Sequence, residues 1–152
     1  AQERGLRAGT VNVPSILGFS EIPALLEGHM DENFERVSLL KKTLIEELTS
    51  IKEQKINSKL DCTSPYILNI SLPGLRGEVM LHYLSDKGVY VSTGSACSSK
   101  DTKDSHVLQA IGVREKEIKG SLRLSFSEEN TLEEVTYAAG VIKEAVNFLR
   151  RK

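Results

Sequence analysis

Ser121-Leu122-Arg123-Leu124-Ser125-Phe126-Ser127 alternates apolar and polar residues without a break. Successive side chains of a strand point to opposite faces. Leu122, Leu124 and Phe126 therefore belong to a core, and Ser121, Arg123, Ser125 and Ser127 to the other face. Upstream, Tyr66 to Leu72 alternates in the same way, with Leu68, Ile70 and Leu72 inward, until Pro73-Gly74 ends the run. The β-branched stretch Val89 to Ser92 supplies another strand, giving about three in all.

Helical periods fill the rest. Thr131-Leu132-Glu133-Glu134 reads as a capping box. The helix it opens continues through Val135, Ala139, Ile142, Val146 and Leu149. Phe34, Val37, Leu40, Leu44, Leu48 and Ile51 recur at spacings of three and four behind Asp31, a good N-cap, so the charges between them read as a solvated face. Gly77 to Lys87 forms a helix carrying Val79, Met80, Tyr83 and Leu84, stopped by Gly88. His106 to Ile111 is a short helix capped by Asp104 or Ser105 and closed by Gly112. Val11 to Met30 is helix-compatible, with Pro14 suited to a first turn and Pro23 expected to kink or divide it. The sum is an α+β fold, a small sheet with helices on one face. The polar face around Arg123 is then open and calls for cover from elsewhere.

With 152 residues, 39% of them hydrophobic, the chain can bury a core of its own and reads as a single domain over 1–152. A formal net charge of −1 argues against a nucleic-acid partner. No apolar run approaches the roughly 20 residues of a membrane span, and no signal peptide opens the chain. Two cysteines are too few for a disulfide-stapled secreted scaffold, which points to a reducing compartment, the cytoplasm. The opening, Ala1 to Thr10, lacks a methionine and reads like the middle of a loop, so a piece of a longer protein is expected.

Cys97 stands in Gly94-Ser95-Ala96-Cys97-Ser98-Ser99, where small neighbours leave a thiol uncovered. The polar run from Ser98 to Ser105 buries almost nothing and should form a mobile loop. From composition alone, a reactive thiol and an inert buried one stand level. Zinc is disfavoured because no second cysteine or histidine lies at ligand spacing from Cys97, so no metal site is expected. Cys62 reads as a small buried hydrophobe, although a Cys62–Cys97 disulfide is possible in principle. Arg123 is either a surface charge or half of an ion pair, or else a planar fork that receives a carboxylate. His82 and His106 sit beside helical apolar positions and read as structural, and His29 carries no message.

Three stretches, Gln2 to Thr10, Ser92 to Ser99 and Ser121 to Phe126, resemble in order and spacing the C-terminal part of cysteine desulfurases. These are pyridoxal-phosphate enzymes of fold type I in the class V aminotransferase family. The Gly-Ser-Ala-Cys-Ser-Ser run carries most of the signal, and the long polar segment after it resembles the NifS/IscS type. The resemblance extends over essentially the whole chain and implies its small C-terminal domain, with residues 1–10 an interface segment from the large-domain junction and 98–105 a mobile active-site loop. It implies that Cys97 takes sulfur from L-cysteine as a persulfide, leaving L-alanine, and that Arg123 holds the substrate carboxylate. Thr10 would bind the cofactor phosphate across a homodimer interface. A sulfur-acceptor or iron–sulfur scaffold protein would then receive the sulfur. The family's cofactor lysine has no match in this chain, so the fragment alone is expected to be inactive. Alternatives are a relative acting on another substrate, as in selenocysteine lyase or kynureninase, and a non-catalytic persulfide carrier.

Overall fold

The computed structural model describes residues 2–6, 8–58, 62–93 and 105–151. They fall into two compact units, Ala1–Asn33 and Phe34–Lys152. In the first, a 3₁₀ turn over Gln2–Gly5 precedes α1, Val13–Leu26, with α2 beginning at Met30. Asn12 caps α1 by accepting from the Ser15 amide at 3.2 Å. Pro14 sits in its first turn as expected. Pro23 does not divide the helix. The division falls at Gly28, whose φ of +83° suits a glycine. Every side of α1 is apolar, and Ile16, Leu17, Phe19 and Leu25 are each more than half exposed. A helix apolar all round ordinarily lies buried.

In the second unit, β1 (Lys55–Ile56), β2 (Ile67–Ser71) and β3 (Ser121–Ser125) form an antiparallel sheet in the order β1-β2-β3. The register sets Leu68 opposite Leu124 and Ile70 opposite Leu122. Helix α2 (Met30–Leu48), α3 (Gly77–Asp86) and α6 (Leu132–Leu149) cover that face. Leu44, Leu48, Met80, Leu84, Ala139 and Ile142 pack with the strand leucines in one core. Thr131 and Glu134 close the capping box reciprocally, at 3.2 and 3.0 Å. Gly88 (φ +76°) ends α3 as expected: its amide reaches Ser85 O and the Val89 amide reaches Leu84 O, both at 2.9 Å. Gly112 ends α4 (His106–Ala110) in the same way, and Ser105 is its cap.

Several expectations need correction. Val89 to Ser92 is not a strand; a single bridge joins Ser92 to Arg123. The start of that segment is spent closing α3, leaving only its end to meet the sheet. The third strand is instead β1, too short to show an alternation. Helix α5 (Glu115–Ile118) had no periodic signature either. Asp31 lies inside the first turn of α2 rather than at its cap, and the helix stops at Leu48, short of Ile51. Phe34 is 53% exposed although it falls on the apolar stripe. Lys41, expected on the solvated face, is buried, its ammonium donating to Thr63 Oγ1 at 2.8 Å and Ser64 O at 2.9 Å. Burial lowers its pKa, partly offset by the nearby Cys62. Cys62 itself is a free, exposed thiol, not a packed one. It lies in the connection leading into β2, outside the core formed by the sheet and its helices.

Candidate active site

The open face of the sheet carries Ile67 and Asn69 of β2 opposite Ser125 and Arg123 of β3. Ser92 adds one residue beyond β3: its amide donates to Arg123 O at 3.0 Å, and the Arg123 amide donates to Ser92 O at 2.7 Å. Directly paired residues project to the same face, so Asn69, Arg123 and Ser92 form a row.

Arg123 is exposed, and among the described residues nothing accepts a hydrogen bond from its guanidinium or forms an ion pair with it. Its neighbour in the row is turned to another partner. Asn69 Oδ1 already accepts from Asn57 Nδ2 at 2.7 Å, and the same amide donates to Ser71 Oγ at 2.8 Å. The five donors of a guanidinium form a rigid fork matched to a carboxylate. An arginine with that fork unspent, on a face without apolar cover, is suited to an external anion.

The end of this face beyond Ser121 is closed. Ser121 was expected on the polar side, and it is buried at 1%, opposite the equally buried Ser71. The β2–α3 connection folds over it: a Cβ added at Gly77 would lie 2.9 Å from Ser121 O and 3.1 Å from Thr93 Cγ2. Thr93 is thus placed beside the start of α3. Cys97, expected as the nucleophile, lies outside the described residues, as does all but Ser105 of the expected 98–105 loop. Thr10 belongs to the first unit, where it is exposed. His82 and His106 are both exposed.

A second charged cluster had only a local signal in the sequence, the spacing of three between Arg114 and Glu117. Glu117 is 2% exposed, and Arg114 folds back on it: Arg114 Nε donates to Oε1 at 3.0 Å, and Nη2 donates to the same oxygen. Lys55 of β1 reaches Oε2 at 3.1 Å. The Arg114 guanidinium and the Lys55 ammonium hold the Glu117 carboxyl down to about 2. Its partners come from positions 3 and 62 residues away, and only folding brings the second one in.

A three-stranded antiparallel sheet with helices on one face is shared with NifS-like proteins of known structure. One is 34% identical with a TM-score of 0.81, over 97% of this chain and 37% of that one. Another, from Rickettsia africae, is 29% identical with a TM-score of 0.81, over 96% of this chain and 38% of that one. The aminotransferase class-V family model matches residues 1–137, and the chain belongs to that family. A cysteine desulfurase IscS of Methanosarcina thermophila is 40% identical over 150 residues, 99% of this chain and 37% of that protein. The chain thus spans just over a third of the length of the curated relatives it matches. No helix among the described residues is long and apolar enough to cross a membrane.

Proposed function

We propose that this chain is the C-terminal domain of a cysteine desulfurase. The observation that carries the reading is the guanidinium of Arg123, unspent among the described residues, on a residue whose backbone is tied by two hydrogen bonds to that of Ser92, five positions ahead of Cys97 in the sequence. Arg123 takes the α-carboxylate of L-cysteine bidentately and fixes where the substrate sulfur lies. Cys97, as thiolate, attacks that sulfur. The sulfur–sulfur bond forms as the carbon–sulfur bond breaks, a proton replaces sulfur on carbon, and L-alanine and a Cys97 persulfide result. Pyridoxal phosphate, bound by the whole protein, supplies the electron sink for that bond cleavage. The Thr10 hydroxyl is suited to its phosphate, donated to the neighbouring subunit of a homodimer. The all-round apolar surface of α1 supports burial against the remainder of the enzyme. We place the enzyme in the cytoplasm, where the persulfide passes to an acceptor for iron–sulfur and thio-cofactor assembly.

In the full-length enzyme, Cys97→Ala is expected to abolish both persulfide and alanine production from L-cysteine while leaving the cofactor absorbance spectrum intact. Alanine release at the wild-type rate would overturn the proposal.

A further inference from the structure

At the closed end of the sheet the charge is uneven. A shallow depression there is walled by Arg76, Arg114, Lys116 and Lys119, with Glu115 among them. Backbone contacts make this a single surface: the Gly77 amide donates to Lys119 O at 2.8 Å, and the Leu72 amide to Gly120 O at 2.9 Å. Arg150 extends it, donating to Pro73 O at 3.4 Å and to Lys52 O at 2.7 Å. Lys55 adjoins through Glu117. Six exposed cations (Lys55, Arg76, Arg114, Lys116, Lys119, Arg150) stand there against three carboxylates, Glu78, Glu115 and Glu117, the last of them buried. The surplus of three positive charges sits in a chain whose net charge is −1.

The position of this surplus gives it meaning. Ser92 pairs antiparallel with Arg123, so the chain from Val89 to Thr93 runs toward Ser121, the basic end. Thr93, four residues before Cys97, lies against Gly77, next to Arg76. Thr93, the last described residue before Cys97 in the sequence, therefore stands beside the basic depression. We propose that this end of the sheet is the docking face for the protein that takes sulfur from Cys97, and that the partner's matching surface is acidic. The inference rests on the desulfurase reading and adds the acceptor's chemistry. Opposite charge at the point of transfer steers the acceptor and suppresses wrong partners. An acidic protein suits the pattern better than RNA does. Glu78 and Glu115 interrupt the cations, no aromatic side chain among the described residues lines the depression, and a surplus of three is small for a phosphate backbone.

The test uses the full-length holoenzyme, ³⁵S-labelled cysteine and three synthetic acceptors, each a peptide with a single cysteine in a glutamate-rich, lysine-rich or glycine–serine sequence. The glutamate-rich peptide should be labelled about tenfold faster than the glycine–serine peptide at low ionic strength, the preference vanishing near about 1 M salt. Arg76→Glu/Lys116→Glu/Lys119→Glu should bring the two rates together, with alanine release to dithiothreitol unchanged. Lys116→Glu alone, on an exposed side chain, should show part of the same loss should the triple variant fold poorly. Equal labelling of the three peptides by the wild type, or a preference surviving in both variants, would overturn the inference. So would a variant slowed equally toward dithiothreitol, since the patch would then serve the enzyme's own fold, or a short RNA that binds the patch more tightly than the acidic peptide. A wild type that forms no persulfide at all would sink the desulfurase reading itself, a different result from persulfide passed on without preference.

Discussion

Arg114 and Arg123 lie nine positions apart in the sequence and do opposite things. Arg114 spends its donors on Glu117, a carboxylate removed from solvent and supported from the other side by Lys55. Arg123 spends none of its side-chain donors among the described residues, and its cross-strand neighbour Asn69 is already engaged. A paired guanidinium over a buried acid belongs to the architecture, because breaking such a pair strands a charge. An unpaired one on a bare sheet face contributes little to folding and is free for a ligand. The difference separates a spent charge from an unspent one within a single turn and strand.

The largest effect is expected at the hinge between the two. A Cβ at Gly120 would lie inside contact distance of Leu72 O and 2.8 Å from Leu75 O, both backbone atoms that cannot swing aside. Gly120→Ala should therefore disrupt the junction of α5 and β3 and prevent stable folding, read as loss of a cooperative thermal transition. A normal melt would show that this junction is looser than the close approach implies.

Next comes Arg123→Ala in the full-length enzyme. Losing a charge-assisted fork should raise the KM for L-cysteine by about 10- to 100-fold, corresponding to roughly 1.5–3 kcal/mol. The melting temperature should hardly move. Arg123→Lys should recover only part of the affinity, since an ammonium cannot match the fork. A lowered melting temperature with an unchanged KM would break the contrast, placing Arg123 with the structural charges.

The effect sharpest in sign, read in stability and not in substrate binding, is that of Glu117→Gln. The folded carboxyl ionises at about 2 against an ordinary 4.5, so its pKa is depressed by folding. The stability it contributes is fully present above pH 4.5 and is lost as pH falls toward 2. Glu117→Gln should lower the urea midpoint at pH 7 and differ progressively less from wild type as pH drops through that window. A gap that stays constant with pH would mean that shape, not charge, holds the cluster. Substrate KM should not change.

The alternation of β2 and β3, the three-and-four stripes of α2 and α6, the Thr131–Glu134 box and the glycine stops after α3 and α4 are local patterns. Periodicity and capping chemistry within a few residues determined them, and the structure agrees. The same strand pattern placed Arg123 on the open face. What the sequence could not carry were features made by partners distant along the chain. Val89 to Ser92 looks like a strand in isolation, yet closing α3 consumes its start and one bridge is all that remains. Lys41 looks solvated until Thr63 and Ser64 arrive to receive its ammonium. Ser121 looks open until the β2–α3 connection covers it. Glu117 looks like one more surface acid until Lys55 closes on it. Spacing along the chain determined which face each side chain takes. Only the tertiary fold decided which charges were already spent, because pairing depends on distance in space, and distance in space is what folding creates.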